Sequence, residues 1–417
     1  MKAALLLAAA MAFAADPPVA PTPPMGWNSW DSYGTTVTEA EVKANADYMA
    51  AKLKSHGWQY IVVDIQWSDP QARAHGYRPN AELTMDEQGR LTPAVNRFPS
   101  AAGGKGFGPL ASYIHAKGLK FGIHIMRGVP RSAPIAAEIA DPQSICKWNS
   151  DMYGVDLSKP GGQAYYDSIV KLYAAWGVDY IKADDMAQPL HAAEIEALHK
   201  AIVKSGRPIV LSLSPGPADL TKADFYAKNA NVWRVSGDLW DRWQDVRKTF
   251  PLMDKWSKYS KPGGWPDADM LPLGHIGIRA ERGVDRMSLL THDEQRTLLT
   301  LWCISRSPLM FGGDLPGNDD FTFSLLTNDD VLAVNQKATN SHQVSATGDQ
   351  IVWEADGPGG EQYYALFNLA ETAAPVQIAH ASTVARDLWS GHQVAVPADG
   401  RFPVPPHGAR LLGFSAR

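Results

Sequence analysis

At 417 residues, with 45% hydrophobic and 20% charged side chains, the chain reads as a soluble globular protein too long for one ordinary core. Its net charge of -5 and the lack of any basic stripe leave no footprint for nucleic acid or for an anionic membrane surface. Two cysteines, Cys146 and Cys303, are too few for a zinc cluster, and no His-x-His or His-Glu-x-x-His pattern adds ligands, so no metal and no cofactor is expected.

Met1-Lys2 and the apolar run from Ala3 to Ala15, with small residues around Ala12-Phe13-Ala14, predict a secretory signal over residues 1–15 and a secreted or periplasmic mature protein. No second run is long and apolar enough to span a bilayer, so membrane insertion is not expected. In an exported protein the two cysteines have the option of one disulfide. Cys303 lies in the apolar helix-like run Leu301-Trp302-Cys303-Ile304, where a free buried thiol is the simpler expectation.

Residues 16–24 are Pro-rich and predict an extended arm. Met25-Gly26-Trp27-Asn28-Ser29-Trp30-Asp31 follows as a first short strand, with Trp30 near its end; aromatic faces suit the apolar faces of sugar rings, so Trp30 is free either to wall a sugar pocket or to pack in the core. Thr38-x-x-Glu41 has the spacing of a capping box, and Val42, Ala46, Met49 and Leu53 recur on one helical face up to Gly57. Tyr60 to Asp64 is a second strand, apolar until it meets a carboxylate. A helix over Leu110 to Lys117 stops at Gly118, and Lys120 to Ile125, carrying His124, is the third.

Gly161 to Trp176 predicts a helix closed by Gly177. It leads into Val178-Asp179-Tyr180-Ile181-Lys182-Ala183-Asp184-Asp185, a strand that ends abruptly in a lysine and two carboxylates. A core has no use for such a cluster unless it faces a solvent-filled site, which makes Asp184 a candidate catalytic carboxylate at a strand's C-terminal end. A helix over Glu194 to Lys204 and a strand over Pro208 to Ser214 follow; His191 and His199 fall on a polar helix pattern and are expected at the surface. Val232-Trp233-Arg234-Val235-Ser236-Gly237-Asp238 repeats the theme on strand six. Gly263 to Met270, holding Asp269, takes the place of strand seven, and Ser307 to Gly312 that of strand eight.

Eight strand-like runs alternating with helices imply parallel strands joined by helical crossovers. Polar residues gather where the strands end, and no Gly-rich phosphate fingerprint follows the first strand, so a closed (β/α)8 barrel over residues 25–340 is preferred to a doubly wound sheet. From about Val344 short strands alternate with Gly, Asp and Pro turns and no helix, which predicts an antiparallel β-sandwich over residues 341–417. The fold class is thus α/β, a TIM barrel followed by a β-sandwich.

Over nearly all the mature chain these motifs resemble glycoside hydrolase family 27, the α-galactosidase and α-N-acetylgalactosaminidase family. Pro24-Met25-Gly26-Trp27-Asn28-Ser29-Trp30 resembles its N-terminal signature, Lys182-Ala183-Asp184 its nucleophile motif, Trp233 to Asp238 its acid/base motif, and Gly263 to Met270 the segment that follows. The resemblance implies a (β/α)8 barrel with a β-sandwich, an oligo- or polysaccharide substrate, Asp184 as nucleophile and Asp238 as general acid, then base. In a retaining mechanism those two carboxylates lie about 5 to 5.5 Å apart. It further implies that Lys182, Arg234 and Asp269 hold hydroxyls of the innermost sugar, with Trp30, Asp64, His124 and Ser214 as further substrate contacts.

The departures bear on which sugar. α-Galactosidases of the family carry paired aspartates at the end of strand two that read the axial 4-hydroxyl and its neighbour, whereas Asp64 is followed here by Ile65. His124 stands where a tyrosine is usual, and Ser212-Leu213-Ser214 where galactose-specific members resemble Cys-Glu-Trp. Met186 replaces the cysteine after the nucleophile, so the family's active-site disulfide is absent. A secreted α-galactosidase-type exo-glycosidase, the same machinery turned on isomaltose-releasing dextran cleavage, β-L-arabinopyranosides or α-N-acetylgalactosaminides, and a non-catalytic sugar-binding relative are the readings this leaves. Trp148 is available as an extra platform in the second, both carboxylates weigh against the third, and the oligomeric state stays open.

Overall fold

The computed structural model describes residues 18–78 and 80–415; the expected signal over residues 1–15 lies outside them. Eight parallel strands, β1 (Met25–Asn28), β2 (Tyr60–Val63), β3 (Lys120–Met126), β4 (Tyr180–Asp184), β5 (Val210–Leu213), β6 (Val232–Arg234), β7 (Trp265–Asp267) and β8 (Leu309–Phe311), form one curled sheet. From β1 to β7 each strand pairs with the next in sequence, and β8 returns to β1 through Met25 opposite Leu309. Between β7 and β8 the ladder shrinks to a parallel bridge of Leu271 with Phe311, in which Leu271 N donates to Met310 O at 2.8 Å and Gly312 N to Leu271 O at 3.0 Å. The curl therefore closes beyond β7, on the segment that carries Asp269.

Local chemistry accounts for most of the helices between. Thr38 and Glu41 make both halves of a capping box, and Val42, Ala46, Met49 and Leu53 are wholly buried, as the helical spacing predicts. The helices Pro160–Trp176 and Ala192–Ser205 stop at Gly177 and Gly206, both left-handed, a conformation that costs a residue without Cβ little. Trp27, Trp58, Trp233, Trp265 and Trp302 are fully buried and fill the layers around the sheet.

Several expectations are corrected. Trp30 lies in a short helix, Trp30–Tyr33, because the chain turns at Ser29 immediately after β1. An antiparallel sheet of Val129–Pro130, Ala140–Ile145 and Met152–Val155 is inserted after β3, where the sequence shows no period-2 alternation. His191 and His199 are half-buried, since their helix is covered on more than its apolar stripe. Cys146 and Cys303, by contrast, agree with the expectation of a free buried thiol: both are buried and neither is in a disulfide.

From Thr339 onward the chain is antiparallel: Thr339–Thr347, Gln350–Asp356, Gln362–Asn368, Val384–Asp387, Gln393–Ala395 and Ala409–Phe414 form one sheet, with Ala374–Gln377 and Arg401–Val404 a second pair. The sheet packs on the helix His292–Ser305, where Thr297 Oγ1 donates to His407 O at 2.7 Å and Trp389 Nε1 to Thr300 Oγ1 at 2.9 Å. Among the described residues no helix is long and apolar enough to cross a membrane.

β1 and β2 touch at Gly26, where an added Cβ would lie 2.6 Å from both Cβ and O of Tyr60. Gly26→Ala is expected to cost about 1–3 kcal/mol by overpacking, read as a lower midpoint in denaturant with an unchanged slope; an unchanged midpoint would contradict this account of the strand contact.

Candidate active site

Side chains alternate along a strand, so Lys182 and Asp184, two apart on β4, face the barrel interior while Ala183 faces the helices. Register carries this to the neighbours: Lys182 pairs with His124 on β3 and with Ser212 on β5. The strand ends thus deliver charge to one place, the mouth at their C-terminal ends, where a cavity of about 360 Å³ opens.

Asp184 is held through both carboxylate oxygens. Its Oδ2 lies 3.1 Å from His124 Nε2, and its Oδ1 accepts from the Asp185 amide at 3.1 Å. Burial by itself raises the Asp184 carboxyl, but the His124 hydrogen bond and the positive field of His124, Lys182 and Arg234 outweigh burial and hold it well below the usual carboxylate range. The group is ionised at any working pH. Lys182 Nζ donates to Asp64 Oδ2 at 2.9 Å, and Asn28 Nδ2 donates to the same oxygen at 2.7 Å. Burial opposes the ammonium charge, yet Asp64 and Asp184 together raise its pKa above the ordinary lysine value.

Arg234, at the end of β6, plays the matching part across the mouth. One guanidinium nitrogen donates to Asp269 Oδ1 at 2.8 Å and another to Asp238 Oδ1. Asp269 Oδ2 accepts from the Leu239 amide at 2.8 Å, which ties the loop carrying Asp238 to the segment after β7. Asp269 holds φ at 94°, a left-handed backbone that a non-glycine residue adopts only when its surroundings impose it. The Asp238 side chain is about half exposed, with Arg282 3.8 Å away. Below this layer Asp267 is enclosed; burial, then the charge of Asp269, pushes its carboxyl up to about 7.

Aromatic rings form another wall. Trp30 stacks on Tyr77 at 5.5 Å, and Tyr77 meets Trp148 at 5.4 Å, all three lining the cavity. Trp240 lines it too, under the guanidinium of Arg282 at 5.7 Å.

Of the residues expected at the site, Trp30, Asp64, Lys182, Asp184, Arg234, Asp238 and Asp269 all line this cavity. His124 and Ser214 do not. His124 is buried behind Asp184 and reaches the site only through it. Ser214 faces a small internal cavity under the mouth with Ser212, because the chain continues past β5 and presents Pro215 and Gly216 as the wall instead. Ile65 also lies behind the mouth, lining a second internal space with His124 and Trp67. Asp31, Tyr77, Trp240, Glu281 and Arg282 line the cavity without having been expected. Asp31 had a signal, an acid directly after the first strand's apolar run; the others sit on loops without periodicity. Among the described residues no group of three or more His, Cys, Asp and Glu is arranged to hold a metal ion.

Two carboxylates from different strand ends, fixed cations beside them and an aromatic wall suit a ring of hydroxyls with a reacting anomeric carbon, and on this barrel they define a glycoside hydrolase. Residues 22–159 and 151–337 match the family described as alpha galactosidase A, and residues 347–414 the alpha galactosidase C-terminal beta sandwich domain. The chain belongs to this α-galactosidase family, glycoside hydrolase family 27. It is 32% identical to an α-galactosidase of Cyamopsis tetragonoloba over 95% of this chain and 87% of that protein. Among solved structures it is 53% identical to a β-L-arabinopyranosidase of Geobacillus stearothermophilus, with TM-score 0.92 over 95% of this chain and 97% of that one. A variant of that enzyme in complex with arabinose is similar at 52% identity and TM-score 0.93, over 95% of this chain and 98% of that one.

His124→Leu removes the donor that lowers Asp184, so kcat/KM is expected to fall roughly ten- to a hundredfold, with the acid limb of the pH profile starting at higher pH than in the wild type; an unshifted limb would contradict it. Asp267 gains a proton on folding, because its carboxyl is raised from 3.8 to about 7, so the stability it contributes falls as pH rises through that window. Asp267→Asn keeps the acceptor for the Asp269 amide and should melt progressively higher relative to the wild type between pH 4 and pH 8; a difference in Tm that does not change with pH would contradict it.

Proposed function

We propose that the chain is a retaining exo-glycosidase that releases terminal β-L-arabinopyranose, with Asp184 as nucleophile and Asp238 as general acid and then base. Asp184 forms a bond to the anomeric carbon as the glycosidic bond breaks, while Asp238 gives its proton to the leaving oxygen. Asp238 then takes a proton from water, whose oxygen displaces Asp184 and leaves the anomeric configuration unchanged. His124 keeps Asp184 ionised and oriented, and Lys182, Asp64, Arg234 and Asp269 hold the ring hydroxyls.

One observation carries the choice of sugar. A β-L-arabinopyranoside is an α-D-galactopyranoside without its exocyclic hydroxymethyl group. Asp64 is kept and opens on the cavity, whereas its neighbour is the buried, apolar Ile65, so one of the acceptors expected for a galactoside is missing. A site lacking that acceptor gains nothing from the extra hydroxyl and has to desolvate it. The similarity to the Geobacillus arabinopyranosidase supports the same choice. The α-galactosidase relatives make α-D-galactosides the second reading, with identical mechanism. Export rests on the leader Met1 to Ala15.

Nitrophenyl β-L-arabinopyranoside is expected to be cleaved with kcat/KM about tenfold or more above that of the α-D-galactoside, with β-L-arabinopyranose seen first by proton NMR. Asp184→Asn should abolish turnover while leaving the melting curve and sugar binding largely unchanged. Preference for the galactoside would overturn the choice of sugar; an inverted first product, or full activity in Asp184→Asn, would overturn the mechanism.

A further inference from the structure

Asp31 has no part in the chemistry above and, among the described residues, no partner for its side chain. It follows Trp30 in the short helix after β1 and is 1% exposed. Its Oδ2 is buried without a hydrogen-bond partner, yet the residue lines the main cavity. Its main-chain oxygen is in use, accepting from the Gly277 amide at 2.8 Å, so the helix turn is anchored without help from the carboxyl.

Gly312 makes room for that carboxyl. A Cβ on Gly312 would sit 2.0 Å from Asp31 Oδ2, and Ser32 Oγ donates to Gly312 O to fix the glycine in place. A buried carboxyl left without partners is unfavourable, and native cores avoid it by pairing the group or replacing it. A space shaped around such a group, on the wall of a sugar cavity, is a binding position whose partner arrives with the substrate.

We propose that Asp31 is a substrate-binding residue, whose carboxyl exchanges a hydrogen bond with one hydroxyl of the sugar in the innermost subsite and so helps to set which sugar is accepted. This rests on the glycosidase reading above. Burial, then the charge of Asp269, raises the Asp31 carboxyl well above its ordinary range, Lys182 opposing and Asp64 adding to the effect. Whenever it holds its proton, Asp31 offers an O–H donor as well as an acceptor, where ionised Asp184 only accepts and Lys182 and Arg234 only donate. A hydroxyl that both gives and takes a hydrogen bond is the chemistry such a group recognises.

The test compares the wild type with Asp31→Ala and Asp31→Asn on the nitrophenyl glycoside the wild type cleaves best and on analogues in which each ring hydroxyl in turn is replaced by hydrogen. Asp31→Ala is expected to lose about tenfold or more in kcat/KM on the parent sugar, and Asp31→Asn, which keeps a donor and an acceptor, much less. The wild type should lose a similar factor on one particular deoxy analogue, and Asp31→Ala should treat that analogue and the parent alike while its losses on the other analogues stay as in the wild type. A folded Asp31→Ala that discriminates among all the analogues as the wild type does would overturn the proposal.

If Asp31→Ala does not fold, Gly312→Ala displaces Oδ2 without deleting the carboxyl and is read in the same way. If the wild type cleaves no glycoside, the proposed reaction falls, and titration of free L-arabinose, D-galactose and their deoxy forms into wild type and variant decides the binding role by the same comparison. Equal discrimination there overturns it, and loss of one hydroxyl's contribution upholds it.

Discussion

Two cations fixed between carboxylates from different strands set the terms for the rest of the site. Lys182, on β4, donates to Asp64 beyond β2 at 2.9 Å, and Arg234, on β6, donates to Asp269 beyond β7 at 2.8 Å. Without them the mouth of the barrel would gather Asp31, Asp64, Asp184, Asp238, Asp267 and Asp269 in a largely enclosed space, and most of those acids would take up protons instead of staying charged. With them the acids divide. Asp184, next to His124 and within reach of both cations, is driven to the ionised form, whereas Asp31 and Asp267 are raised. A nucleophile needs the first state; a group that donates a hydrogen bond to a hydroxyl needs the second.

The same pairs organise the backbone. Asp269 binds Arg234 with one oxygen and the Leu239 amide with the other, so the loop that carries Asp238 is fixed by the segment after β7. That segment also closes the curled sheet, through Leu271 against the β8 end. The left-handed backbone at Asp269 is the cost of serving both ends, and it lies where the site is built. Positioning of the acid/base candidate and closure of the barrel are therefore one structural event.

How much of this was legible in the sequence follows from where each residue sits. The strand end Lys182-Ala183-Asp184 could be read because period-2 alternation makes an inward-facing lysine and aspartate conspicuous in an apolar run; Arg234 in Val232 to Asp238 stood out for the same reason. Ser214 lies below the main mouth because alternation gives the face of a side chain but not its depth, and the chain runs on to Pro215 and Gly216 before it reaches the wall. His124 was on the correct face, yet only coordinates show that Asp184 stands between it and the cavity. Tyr77, Trp148 and Trp240 come from loops, where no periodicity says which aromatic ring turns inward; only Trp148 was noticed, as an available platform. The inserted antiparallel sheet between β3 and β4 was missed because its strands include Pro130 and Pro142 and lack alternation.

The central claim is that Asp184 is the carboxylate that the charge pattern prepares to attack the sugar. The direct measurement is mass spectrometry of the enzyme treated with a fluorinated arabinopyranosyl donor whose second, deglycosylation step is slow. The account predicts one covalent sugar per chain, located by peptide mapping on Asp184. An adduct on any other carboxylate, or none while the donor's leaving group is being released, would contradict it.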